Sequence, residues 1–87
     1  MSQFPGWWKW LFEISPHAYR RMPERQFTET DLRGMLVAPE RIESDICPGR
    51  FLIHCRWYGR NWHVIVEPDP DTKTVIIVTA FSPEPQP

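Results

Sequence analysis

The spacing of apolar residues changes once along the chain, near residue 40. Beyond that point the period is two. Phe51, Ile53, Cys55 and Trp57 alternate with Leu52, His54, Arg56 and Tyr58, the pattern of a strand with one covered face. A two-residue turn at Gly59-Arg60 is expected next, then a returning strand over residues 61–67, a loop over 68–72 and a last strand over 73–81. Residues 41–46 read as a short strand leading into a Pro48-Gly49 turn. Before residue 40 the period is helical. Ser15-Pro16 offers a capping hydroxyl followed by proline at the first helical position. Pro23 should interfere with that helix, since it lacks an amide donor and disfavours helical dihedrals at Met22. Thr28 and Asp31 have capping-box spacing, Leu32, Met35 and Leu36 recur at helical intervals, and Pro39 closes the second helix.

These elements predict an α+β domain, with two N-terminal helices packed on one face of a three- to four-stranded antiparallel sheet. Three regions follow: a Trp-rich segment over 1–14 packing on the core, the α+β domain over 15–81, and a disordered Pro-rich tail over 82–87. The first segment reads as a short core-capping helix rather than an interfacial anchor, because Lys9 is its one basic residue. A Gly59-Arg60 turn would set Trp57 against Trp62, Cys55 against Val64 and Arg56 against His63. One face of the sheet would then be apolar, and the open face would gather His54, Arg56, Tyr58 and His63. A similar register for the last strand would put Thr79 beside Trp62 on the helix-covered side, and a one-residue slip would reverse that.

Composition sharpens the picture in one respect. A chain of 87 residues with 41% hydrophobic residues, five Trp and five Phe can fill one small core and is not a disordered polymer. No 18-residue apolar run exists to span a membrane. The opening Met1–Pro5 lacks a basic stretch and a cleavage site, so a cytoplasmic protein is expected. The formal net charge of −1 conceals segregation. Residues 46–63 hold Arg50, Arg56 and Arg60 with no acid, while residues 64–87 hold Lys73 against Glu67, Asp69, Asp71 and Glu84. Eight of the ten cations are Arg, the residue suited to planar, two-point recognition of phosphate. The two cysteines have neither disulfide-framework nor zinc-ligand spacing. No metal or other cofactor is expected.

His17 and Arg21 are four apart and project as neighbours from one helical face. A ribonuclease working without metal needs a base for the ribose 2′-hydroxyl and cations for the phosphorane. Histidine is suited to taking and returning a proton near neutrality, and Arg21 can clamp a phosphate with Arg25, Arg50 or Arg56 in support. The open-face group offers another centre, with His54 or His63 as base and Tyr58 stacking on a base. The plain alternatives are a helix-end histidine and cross-strand pairing on a solvated face.

The run His17-Ala18-Tyr19-Arg20-Arg21-Met22-Pro23-Glu24-Arg25, with Phe27 and Asp31-Leu32 after it, resembles the HAxxRMxxR opening of the family called domain of unknown function 4258. Val78-Thr79-Ala80-Phe81 is similar to that family's terminal strand, and the resemblance covers roughly residues 15–81. It implies a fold like that of the RelE/ParE toxins and of the EndoU and colicin-type ribonucleases, and hence a metal-independent RNA-cleaving toxin paired with an antitoxin protein. It carries His17, Arg21 and Thr79 over as catalytic positions and Arg25 as a phosphate contact. Pro23 inside the signature and Phe81 in place of a common Tyr are departures. A non-catalytic RNA- or protein-binding module, and a ParE-like toxin acting by protein contact, remain open at this level.

Overall fold

A computed structural model describes residues 4–84. A short 3-10 turn, Gly6–Lys9, leads into β1, Leu11–Ile14; then come α1, Pro16–Arg25, and α2, Glu29–Met35. Four more strands complete the chain: β2, Arg41–Ser44; β3, Phe51–Trp57; β4, Arg60–Asp69; and β5, Thr74–Phe81. The class is α+β, but the sheet is not the expected three- to four-stranded antiparallel one. It has five strands in the order β1-β5-β4-β3-β2, and β1 runs parallel to β5. The strand that sequence patterning missed lies in the Trp-rich segment. Only four residues alternate there, with Phe12 and Ile14 turned to the core and Leu11 and Glu13 outward. Its partner lies some sixty residues away, so no adjacent turn announces the pairing.

Local chemistry explains both helices. Ser15 caps α1 by accepting from the Ala18 amide, and Pro16 opens the helix. The helix does not stop at Met22. It runs through Pro23 to Arg25 and closes at Gln26, whose amide donates to the Met22 and Pro23 carbonyls and whose left-handed φ of 59° turns the Phe27 amide back to the Met22 carbonyl at 3.2 Å. Proline so near the C-terminal end interrupts little of the ladder. Glycine, the usual stop signal, is replaced here by Gln26. Thr28 and Asp31 form the expected capping box at α2. The Tyr19 hydroxyl donates to Glu29, which also pairs with Arg33, so the two helices are tied across their outer faces.

The core lies between the helices and one face of the sheet. Ala18 and Met22 of α1, Phe27, and Leu32 and Met35 of α2 meet Ile53, Cys55, Val64, Val66, Val75 and Ile77. Trp7 extends this core at one end, with its ring 5.1 Å from Phe51 and 6.4 Å from Phe12. The tail is anchored at its start: Ser82 Oγ donates to the Asn61 carbonyl, and Glu84 accepts from the Asn61 amide at 2.6 Å. The expected disorder there otherwise concerns residues 85–87, outside the described residues.

One contact in this core yields a direct test. A Cβ on Gly34 would fall under 3.0 Å from three ring carbons of Trp57. That ring cannot easily move, because its indole N–H donates to Asp31 at 3.1 Å. Alanine gains up to ~1 kcal/mol of helix propensity, and overpacking costs ~1–3 kcal/mol. Gly34→Ala should therefore lower the melting temperature by about 5–10 °C in a thermal unfolding scan. A rise in melting temperature would show that α2 stands off the sheet.

Candidate functional site

The β3–β4 hairpin turns at Tyr58-Gly59, one position earlier than expected. Both residues have positive φ, 49° and 75°, the backbone that a tight two-residue hairpin turn requires. The register becomes Trp57↔Arg60, Cys55↔Trp62 and His54↔His63. Because every pairing moves by an even number, the inward and outward faces survive while the expected partners do not. Arg56 faces Asn61 rather than His63, and Tyr58 leaves the open face for the hairpin tip. Thr79 lies opposite Ile65 on the open face of the sheet, not beside Trp62 on the helix-covered side, and the bulge between Ile65 and Val66 is the one-residue slip that changes its face.

The sequence-derived candidates fall into two main groups. The first lies along α1 and the distal half of β5. β1 ends at Ile14, so β5 continues beyond it as a free edge, and α1 runs beside that edge. Ser15 Oγ donates to the Val78 carbonyl at its start, and at its end Arg25 Nη1 donates to Thr79 Oγ1 at 2.8 Å and to the Ala80 carbonyl at 2.9 Å. Arg25 thus remains bound to Thr79 despite Pro23. The threonine hydroxyl accepts from Arg25 and keeps its own proton to donate. His17 and Arg20 are exposed one turn from each other, and Arg21 pairs with Glu24 at 2.8 Å. The Arg21 hydrogen bond and charge hold the Glu24 carboxyl below the usual range, and Arg25 and His17 pull it in the same direction. Arg21 is the one of these cations in contact with the Glu24 carboxylate.

The second group sits on the open face of the sheet. The rings of His54 and His63 meet edge-to-face with centroids 4.6 Å apart, and His63 meets Phe81 at 5.5 Å. His54 Nε2 lies 3.0 Å from Glu43 Oε1 and 3.2 Å from Arg41 Nη2. That nitrogen donates to the carboxylate when it carries a proton and accepts from the guanidinium when it does not. Glu43 is held below the ordinary carboxylate range, first by its hydrogen bond with His54. Arg50 and Arg56, expected to join a phosphate track, are already engaged. Arg50 pairs with Glu67 at 3.1 Å, and Arg56 donates to Asn61 and to the Gly59 carbonyl. β5 touches both groups, through Thr79 on one and Phe81 on the other.

Burial, then the neighbouring His54, lower the pKa of His63; Arg41 acts in the same direction and Glu43 opposes it. An unfolded chain would bind this proton more readily than the folded one. The resulting stability is present above the ordinary imidazole pKa of about 6.5 and is lost as pH falls through the lowered folded value. The melting temperature should drop by a few degrees between pH 7 and pH 5, before most carboxylates titrate, and His63→Gln should flatten that drop. An unchanged slope in the variant would place its origin elsewhere.

The remaining chemistry is limited. Cys55 is a core residue whose thiol burial pushes up to about 12, while Cys47 is free and exposed. Among the described residues no three His, Cys, Asp or Glu side chains converge as a metal centre, and no helix is long and apolar enough to cross a membrane. Sequence reasoning missed Glu43 as the partner of His54. It placed Arg60 in a basic stretch but not in the cleft that Arg60 lines with Tyr58 and Trp62, and it missed Trp62 as a lining residue. The Tyr-Gly pair was the available signal, since a glycine at the second turn position points to a turn one residue earlier.

A helix lying along a free strand edge, with cations and a threonine at the junction, defines an α+β domain with a cationic helix–edge site. The chain belongs to the family described as Domain of unknown function (DUF4258), which matches residues 14–82 and so spans both groups of residues. No curated protein and no solved structure matches it.

Proposed function

We propose that the chain is a RelE-like toxin that cleaves RNA at the α1–β5 edge without a metal ion, and is held in check by a cognate antitoxin protein. The observation that carries this reading is the shared setting of His17, Arg21, Arg25 and Thr79: three along one exposed helix, the fourth hydrogen-bonded to the helix end. His17 takes the proton of a ribose 2′-hydroxyl, and the 2′-oxygen bonds to phosphorus. The bond from phosphorus to the 5′-oxygen then breaks, and that oxygen takes a proton from water. The products are a 2′,3′-cyclic phosphate and a 5′-hydroxyl end. Arg21, released from an exposed ion pair worth only ~0–1 kcal/mol, neutralises the phosphorane with Arg25, and the Thr79 hydroxyl donates to a phosphate oxygen.

The test is direct. Purified chain incubated with single-stranded RNA in EDTA should yield fragments with cyclic phosphate ends, and its induced expression should arrest growth. Intact RNA in both settings would remove the enzymatic reading. Salt dependence measures the contact surface. Arg20, Arg21 and Arg25 at about three phosphates predict a log–log slope of binding near −2, from ~0.7 per contact on a single strand. A slope near −4 would bring Arg50, Arg56 and Arg60 into the track, and a flat response would argue against RNA.

A further inference from the structure

We propose that the cleft between the α1–α2 corner and the β3–β4 hairpin tip is a nucleobase subsite, which takes a base bearing a carbonyl oxygen. The proposal rests on the RNA-cleaving reading and names what part of that substrate the protein recognises. The cleft has a volume of about 240 Å³, and its lining includes the rings of Phe27, Trp57, Tyr58 and Trp62 together with Asp31 and Arg60. That is below the roughly 300–1,000 Å³ of a drug-sized pocket and suits a single ring system.

Three observations point to a base. Tyr58 is 85% exposed, with its ring edge-on to Trp57 at 4.9 Å, so an aromatic surface faces water at the hairpin tip. It holds that position in a left-handed conformation, at φ 49°, where Asn would sit with less strain. Turn formation alone does not account for a tyrosine there. Arg60 lies over Trp62, its guanidinium carbon 5.6 Å from the ring centroid, and its Nη2 is buried without a hydrogen-bond partner. A buried donor left unpaired is costly, so the guanidinium gains by turning this nitrogen into the cleft, where a carbonyl oxygen on a stacked base would satisfy it. Asp31 does not read the base: its two oxygens are taken by the Trp57 indole and by Thr28, so it builds the wall.

The cleft also has the right place in the molecule. Gln26, also in its lining, follows Arg25 directly, so the subsite begins where the phosphate-binding edge ends. His17 stands about 12 Å back along α1, eight residues at ~1.5 Å each. A single strand laid along the helix would present a phosphate to Arg25 and its neighbouring base to Tyr58.

Guanosine, inosine and adenosine monophosphates, titrated into the full chain with tryptophan fluorescence as readout, test this. Inosine and guanosine monophosphates carry the 6-oxo group and should bind about tenfold more tightly than adenosine monophosphate, whose ring is the same size. Arg60→Met should erase that preference while keeping the stacking. Tyr58→Asn should weaken all three by about tenfold yet raise the melting temperature, a combination that a merely structural tyrosine would not produce. Equal binding of the three nucleotides, or unchanged binding in Tyr58→Asn, overturns the subsite. The cleavage reading fails separately: nucleotide preference without RNA cleavage leaves the subsite standing, and His17-dependent cleavage without preference removes only the subsite.

Discussion

Replacing His17 or Arg21 with alanine is expected to lower RNA cleavage by about 10²–10⁴-fold, the range of a lost general base or charge clamp, with the melting temperature within a few degrees of the parent. His17 is exposed and Arg21 half-buried on α1, and neither belongs to the core. Alanine is the better helix former, and the Arg21–Glu24 pair is exposed on both sides. Since base and clamp serve one transition state, the double variant should be little worse than either single one. His54→Ala and His63→Ala should cost no more than about tenfold. The measurement is initial cleavage rate on a labelled single strand, alongside circular dichroism. A dead His54 or His63 variant beside an active His17 variant would move the centre to the open face of the sheet. Full activity in all four would end the enzymatic reading.

Deleting residues 1–14 should abolish cooperative unfolding altogether. The deletion removes Trp7 from Phe12 and Phe51, takes Phe12 and Ile14 out of the core, and strips β5 of its parallel neighbour. Truncating a core Trp costs ~3–5 kcal/mol, and a small domain has ~5–15 kcal/mol in total. Trp7 is half-buried, so Trp7→Ala alone should cost about 2–3 kcal/mol and lower the melting temperature by about 10 °C or more. A truncated chain that stays monomeric and melts at the parent temperature would show the segment to be an appendage.

What could be read from the residues follows the range of the interactions that set each element. Ser15-Pro16 and Thr28…Asp31 are local signals, and both caps form as their spacing predicts. The alternation from Phe51 to Trp57 is also local and places Ile53 and Cys55 correctly in the core. The hairpin register failed because turn chemistry was assigned one residue late. Glycine tolerates either turn position, whereas Tyr58 at positive φ is a conformation that propensity argues against. Strand β1 was out of reach because its ladder depends on a partner beyond every other element. At the site, the i,i+4 spacing of His17 and Arg21 needed only the helix. The Arg25–Thr79 hydrogen bond joins residues 54 apart in sequence, and only the folded edge reveals it.

That parallel pairing also sets the order in which the molecule can assemble. Leu11–Ile14 joins Thr74–Ile77 across more than sixty residues, and Ser15 reaches Val78 over a separation of 63. The antiparallel ladders from β2 to β5 close through nearby loops and can form early, whereas β1 must wait until β5 has been made and docked. Closing so long a loop is an entropic cost met before any contact rewards it, and long-range strand pairing slows folding for that reason. Until β1 arrives, the edge of β5 over Thr74–Ile77 is unpaired and Trp7 has no packed Phe12 to rest on. During synthesis a nascent chain therefore carries a sticky N-terminal segment ahead of its partner, and the pairing it awaits covers Thr74–Ile77, the half of β5 that precedes Thr79.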